Sequence, residues 1–350
     1  MSATKRYLIV GAGVAGVCLA QQLKDKGQHI TIVDNNQNKS SVVAAGMINP
    51  LVFRRMTKSW RIDEFLPFGY SFYQDMERKL GTTFFHRITI RRIFSSVQEL
   101  GFWELKQDLP EFSEYMEPLS KEDYDYLGAN NPYGTGRVKG AAYIDTDSFI
   151  AAFRNYFQEN DMLLNAPFIH SSFDPEKLTF QNSVYDGVIF CEGYLAFKNP
   201  LFQNIPIQCT KGETITIDCP ELKTKESLNR KCFVLPLKGK NHYRVGATYV
   251  WNTPDNNQTP EGRNELIEKF RVVSNSPFEI IDQQTGVRPT TPDRRPIIGA
   301  HEGYKHIYIF NGLGTKGYMS APLLAKELCD HILEGRPLDP EVSISRFKKS

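Results

Sequence analysis

The sequence predicts an α/β protein (α+β overall), built as one nucleotide-binding α/β domain with an antiparallel-sheet domain inserted into it. Three observations predict this. A glycine-rich turn joins an apolar strand to a helix near the start of the chain. A second such turn does the same near its end. Between them lie several short strands separated by turn residues. A length of 350 residues allows one large or two modest domains, and a hydrophobic content of 41% can fill their cores. The formal charge of +2 neither favours nor excludes nucleic acid as a partner. No apolar run reaches the length of a membrane span, and the first strand starts after six residues, which leaves no room for a signal peptide. Six cysteines (18, 191, 209, 219, 232 and 329) are scattered without a C-x-x-C pair, the usage expected of reduced core residues. The expectation is a cytoplasmic protein with no structural metal and no DNA partner.

Tyr7 to Val10 reads as a buried parallel strand. Gly11, Gly13 and Gly16 follow at the G-x-G-x-x-G spacing. Val14 to Lys26 then reads as a helix ended by Gly27, with a strand from His29 to Asp34 behind it. Gly11 permits the tight turn, Gly13 lets the backbone approach a pyrophosphate, and Gly16 lets the helix pack close to the sheet. The helix N-terminus offers free N–H groups to phosphate. Asp34, 18 residues after Gly16, can accept hydrogen bonds from an adenosine ribose. This is a Rossmann-like dinucleotide site, and the motif alone leaves NAD and FAD both open.

Asn35 to Ser41 reads as a polar surface loop. Ile62 to Leu80 carries Phe65, Leu66, Tyr70, Tyr73, Met76 and Leu80 at helical spacing and stops at Gly81. Ile88 to Phe94 reads as a strand and 97–108 as a helix. Residues 109–136 read as irregular connection. A helix runs from an N-cap at Thr146 or Asp147 to Asn160. Val184 to Gly193 reads as a buried strand ending in glycine. Several strands over 205–250, with a turn at 238–241, read as an antiparallel sheet. A helix follows over 260–273, then strands at 279–289 and 306–310, then a helix from about Ala321 to Leu333. The nucleotide-binding domain is therefore discontinuous, comprising 1–84, 141–200 and 286–350. The inserted substrate domain comprises 85–140 and 201–285.

Gly312, Gly314 and Gly317 repeat the G-x-G-x-x-G spacing between the last strand and the last helix. The chain ends before a further strand and acid, so this is not a second complete nucleotide fold. It reads as a loop of backbone donors at a helix N-terminus, aimed at an anionic or electron-rich group, with Lys316 adding positive charge.

Taken together, Gly11/Gly13/Gly16, the strand ending at Gly193, Gly286-Val-Arg288-Pro-Thr-Thr-Pro-Asp293 with Pro296-Ile-Ile-Gly299, and Gly312-Leu-Gly314-Thr-Lys-Gly317 resemble the D-amino-acid-oxidase (DAO) superfamily of FAD-dependent oxidoreductases. That family includes glycine and sarcosine oxidases. Gly46-Met-Ile-Asn-Pro-Leu, with the aromatic helix behind it, and 312–323 are also similar to the flavin domain of the bifunctional tRNA 5-methylaminomethyl-2-thiouridine biosynthesis enzyme. The resemblance implies extended FAD between the two domains. It implies oxidation of the C–N bond of a carboxylate-bearing amine by hydride transfer to flavin N5, followed by imine hydrolysis. Oxygen or a quinone would accept the electrons. It implies cofactor contacts from Gly11, Gly13, Val14, Ala15, Gly16, Asp34, Asn35, Ala45, Gly46, Met47, Glu192, Gly193, Gly312, Gly314, Thr315, Lys316 and Gly317.

Arg288 takes the position of the arginine that clamps a substrate carboxylate, which a guanidinium binds through two parallel hydrogen bonds. Lys316 would stabilise reduced flavin. Where relatives place a tyrosine on the substrate sheet, the matching strand offers Phe233, with Tyr243 nearby as a catalytic candidate. Glu192 would be buried and need a partner. No cysteine sits by Arg288, where sarcosine oxidases attach flavin, so FAD is expected to be noncovalent. Arg54, Arg55, Lys58 and Arg61, with Trp60 among them, would suit a polyanion such as tRNA or a solvated face. The alternatives are thus oxidation of a free amino acid, oxidation of a carboxymethylaminomethyl group on a tRNA wobble uridine, a flavin-binding RNA or protein module without turnover, and an NAD-dependent dehydrogenase.

Overall fold

The computed structural model describes residues 4–239 and 241–347. Lys240, within the turn expected at 238–241, lies outside the described residues. A six-stranded sheet forms the first layer, in the order Leu163–Leu164, His29–Val33, Arg6–Val10, Gly187–Phe190, Ile307–Asn311, Ile297–Ala300. All neighbours are parallel except the last pair. Its inner strands are mostly apolar because helices cover it. Helix Val14–Asp25 packs beside Gly317–Glu334, which in turn packs against Ile62–Leu80.

The second layer is an eight-stranded sheet. Its long strand Gln208–Asp218 pairs antiparallel with Glu279–Thr290 on one side and with His242–Gly246 on the other. Cys232–Pro236, Ser227–Arg230, Ile90–Ile93 and Thr135–Val138 continue the sheet. One pair inside it, 227–230 with 90–93, is parallel. Helix Pro260–Val273 covers one face, where Leu266, Phe270 and Val273 meet Ile215, Ile217, Val234, Tyr243 and Val245. The strand 279–290 stays paired from Glu279 to Thr290, so it runs unbroken through the boundary expected at 286.

Other elements depart from expectation in instructive ways. The buried strand is Gly187–Phe190, and the backbone turns into a 3-10 helix from Gly193. The segment 109–136 contains two short helices and the start of strand 135–138. The cap of helix Thr146–Glu159 is Asp145, whose Oδ1 accepts from Ser148 N–H at 3.2 Å. Thr146 instead donates its hydroxyl to Val42 O.

The last helix starts at Gly317, four residues before the expected start, which puts Pro322 in its interior rather than in its first turn. Proline has no N–H to give to the carbonyl one turn back, that of Tyr318. The hydroxyl of fully buried Tyr73 fills the gap, donating to Tyr318 O at 2.5 Å. A phenol from one helix thus completes the hydrogen bonding of another. Tyr73→Phe strands that carbonyl in the core. The variant should fold but lose roughly 1–3 kcal/mol, read as a lower denaturation midpoint with an unchanged slope.

Candidate active site

The carboxyl ends of strands 6–10, 29–33, 187–190 and 307–311 open onto one continuous cavity of about 670 Å³. Ligand crevices of α/β sheets lie at this edge. At one end are Asp34, Asn35, Phe168 and His170, and at the other are Gly212, Thr214, Phe233, Thr248, Tyr249 and Arg288 from the second sheet.

At the nucleotide end, Asp34 already accepts from Ala12 N–H (2.9 Å), Asn36 N–H (2.7 Å) and Arg154 (2.6 Å). A carboxylate has about four acceptor positions, so one remains for a hydroxyl donor. Gly11, at φ +106°, turns the chain so tightly that a Cβ there would lie 2.4 Å from Cys191 O. Ser41 Oγ sits 3.0 Å from Val14 N, which places an oxygen where the helix N-terminus offers its amide to an anion. The Glu192 side chain is 8% exposed, and both its oxygens are engaged: His170 Nε2 lies 2.8 Å from one, and Asn199 Nδ2 donates to the other at 2.7 Å.

Asn311 joins the turn at Gly193 to the second glycine loop. It donates to Gly193 O (2.9 Å) and accepts from Gly312 N–H (2.8 Å). Gly314 N–H donates to Pro289 O at 3.0 Å, so the second glycine loop is tied to the strand that carries Arg288. Ser40 Oγ ties the segment after Asp34 to the same strand, through Val287 O at 2.6 Å. These glycine turns, free acceptors and hydroxyls suit an extended dinucleotide.

At the other end, alternation along the strands selects what faces the cavity. Gly212, Thr214, Phe233, Gly286 and Arg288 line it, while Ile215, Ile217, Val234 and Val245 face the 260–273 helix. Arg288 Nη1 donates to Thr248 O at 3.4 Å, and its guanidinium carbon lies 5.4 Å from the centroid of Tyr249. Arg288 forms no ion pair among the described residues, and burial pushes its pKa below the ordinary arginine value. Gly212 makes the room, since a Cβ there would fall 2.1 Å from Nη2.

Of the residues expected from the sequence, Gly11, Gly13, Val14, Ala15, Asp34, Asn35, Ala45, Gly46, Met47, Glu192, Gly193, Arg288, Gly314, Thr315 and Gly317 share this cavity wall. Gly16 and Gly312 lie behind it and shape the turns. Tyr243 is a correction. Its ring belongs to the core under the 260–273 helix, and its hydroxyl donates to Leu222 O. One position in a strand decides this, because Tyr243 and Arg244 point to opposite faces. Lys316 is a second correction. It is off the wall, and its buried ammonium donates to Ser59 Oγ. The basic cluster is split by internal ion pairs. Arg61 binds Glu64, Glu327 and Asp339, while Lys58 pairs with Asp63. Trp60 Nε1 donates to Glu341 (2.8 Å), which leaves Arg54 and Arg55 as the exposed cations. Sequence reasoning missed Asn38, Ser40, Ser41, Phe168, His170, Thr248 and Tyr249. The two hydroxyls following Asp34 were a usable signal; 167–170 and 248–249 carry no motif.

These features meet their counterpart in the comparison with known proteins. The family model for FAD-dependent oxidoreductases, DAO, matches residues 6–331. The chain belongs to this family. It is therefore an FAD-dependent oxidoreductase. Among curated relatives, the tRNA 5-methylaminomethyl-2-thiouridine biosynthesis bifunctional protein MnmC of Idiomarina loihiensis is 32% identical over 161 residues, which cover 43% of this chain and 25% of that protein. The chain thus aligns with only a quarter of that relative's length. Glycine oxidase of Bacillus licheniformis is 24% identical, with 96% of this chain and 95% of that one covered. The crystal structure of glycine oxidase from Geobacillus kaustophilus superposes with a TM-score of 0.80 at 17% identity, covering 96% and 97% of the two chains. That likeness establishes the shared fold. Among the described residues no group of three or more His, Cys, Asp or Glu is placed to hold a metal, and no helix is long and apolar enough to cross a membrane.

Burial brings the Lys316 pKa down to about 8. Between that value and the unfolded lysine value, the unfolded chain holds a proton that the folded chain lacks, so stability rises with pH there. Below pH 8 the charge is a constant cost. Lys316→Met should raise stability at pH 7 by roughly 1–3 kcal/mol. The advantage should shrink towards zero by pH 10.5, read from denaturation midpoints of both proteins across that range.

Proposed function

We propose that this protein oxidises the C–N bond of a carboxylate-bearing amine, a glycine-type or N-substituted amino acid, to an imine that water then hydrolyses. The observation that carries this reading is Arg288, a partly buried guanidinium with no acidic partner among the described residues, which lines the cavity beside the second glycine loop. Burying such a charge is costly unless something pairs with it. A substrate carboxylate supplies that pair and is fixed in orientation by the planar fork. FAD, when bound, supplies the two-electron oxidant. The protein's own part is positioning: Gly212 leaves space for the guanidinium, Thr248 O anchors it, and Phe233, Thr214 and Met47 close the wall against water. The cavity's two acids, Asp34 and Glu192, are engaged by Arg154 and by His170 and Asn199, so the amine would arrive already neutral. The likeness to glycine oxidase supports this substrate class.

A second reading takes the carboxymethylaminomethyl group of a tRNA wobble uridine as substrate, since it carries the same N-substituted glycine unit. The identity with MnmC favours it. The loss of Arg61 and Lys58 to internal ion pairs removes half of the basic cluster that would have met the RNA. Cytoplasmic residence fits six unpaired, buried cysteines.

Anaerobic spectra decide between these readings. Bleaching of the flavin by glycine or sarcosine supports the free amino acid, and bleaching only by tRNA supports the second reading. Arg288→Ala should keep its flavin but lose substrate affinity by about 2–5 kcal/mol, a rise of roughly 30-fold or more in KM. An unaltered KM removes Arg288 from the site. FAD would be held noncovalently, because burial pushes the Cys191 thiol, the cavity's cysteine, well above the ordinary range and leaves it un-nucleophilic. Acid precipitation should leave the yellow chromophore in the supernatant, and a yellow pellet refutes this.

A further inference from the structure

Beside Arg288 the cavity meets an edge of the second sheet. The short strand Val250–Trp251 pairs with the long strand through Lys211↔Val250 and Thr210↔Trp251. Tyr249, just before it, lines the cavity. Trp251, two residues on, packs edge-to-face on Tyr249, with ring centroids 5.1 Å apart and planes at 75°. Tyr249, Val250 and Trp251 are 40%, 46% and 45% exposed. Neither the Tyr249 hydroxyl nor the Trp251 indole N–H has a hydrogen-bond partner among the described residues. Two large rings held against each other at an open edge, one of them also cavity wall, form a surface that covers nothing within the chain.

We propose that Tyr249 and Trp251 form a shelf that binds the substituent carried by the substrate's amine, and that this substituent is a flat, unsaturated ring. The assignment rests on the carboxylate reading of Arg288. The guanidinium lies 5.4 Å from the Tyr249 centroid, so a ligand whose carboxylate reaches Arg288 already touches the inner end of the shelf. A methyl group would leave Trp251 in water. An aryl group extending outward would cover it and gain stacking contact, with two free polar hydrogens at hand for ring heteroatoms. The substrate class is an N-(arylmethyl) or N-(heteroarylmethyl) glycine, with Arg288 selecting the acid and the shelf selecting the ring.

The test uses the flavin-loaded protein and two non-oxidisable probes in which sulfur replaces the amine nitrogen, (methylthio)acetate and (benzylthio)acetate. Flavin absorbance changes report their dissociation constants. The wild type should prefer the benzyl probe by on the order of tenfold. Trp251→Ala should reduce that preference to near unity while the constant for the methyl probe changes little. Trp251→Phe should restore most of it. Equal affinities in the wild type, or a preference that survives Trp251→Ala, overturns the shelf and leaves Arg288 in place. Binding of neither probe overturns the carboxylate reading and the shelf with it. A Trp251→Ala protein with unchanged probe binding but a smaller sedimentation coefficient assigns the rings to contact between copies of this chain instead.

Discussion

The strands 208–218 and 279–290 pair along their whole length, with one irregularity between Thr216 and Ile217. That register sets Gly286 opposite Gly212 and holds the guanidinium of Arg288 over Gly212. A slip of one residue would send Arg288 to the far face and bring Val287 to the cavity. Within the chain, the guanidinium's neighbours are a backbone carbonyl and an aromatic ring rather than an acid. The same strand is bound to the cofactor side by Ser40 and by the second glycine loop. The wall carrying Arg288 and the wall of glycine turns are therefore one hydrogen-bonded surface, and what shapes one shapes the other.

The nucleotide half was legible in the sequence. Its signals are local: an apolar strand, glycines at fixed offsets, an acid at a strand end. Helices 62–80 and 260–273 were legible for the same reason, since their apolar spacing and flanking cap residues lie within a few turns of one another. Arg288 was placed by resemblance, and it lines the cavity. Less could be read where meaning depends on which face of a strand is up. Tyr243 looked like a site residue because it is a tyrosine near Phe233, but its parity matches Val245, and both belong to the core. The start of the last helix was misplaced because the phenol of Tyr73, 245 residues from the Tyr318 carbonyl that Pro322 leaves open, fills that gap, which no local rule contains.

Charge was the least legible property. Arg54, Arg55, Lys58 and Arg61 look like one basic patch when counted along the chain. In space Lys58 is paired with Asp63, and Arg61 also meets acids from distant segments: Glu327 in the last helix and Asp339 beyond it. Arg61 is thereby a clasp between the entry of helix 62–80 and the C-terminal helix. Lys316 shows the same effect in the opposite direction. A lysine in a glycine loop resembles an anion partner, yet it turns inward to Ser59, whose hydroxyl in turn donates to Asn49 O.

The way the chain threads its two layers bears on how such a protein can change through descent. It leaves the nucleotide layer and returns more than once, at 85–90, 138–142, 205–208 and 290–297, and strand 279–290 belongs to both surfaces. No single cut frees the substrate sheet as a cassette that recombination could exchange intact. New preferences must arise one side chain at a time, and the cheapest place is the short edge strand 250–251, where a substitution disturbs neither the core nor the cofactor loops. Divergence among relatives that share this threading should therefore concentrate at that rim, while the inner register stays fixed.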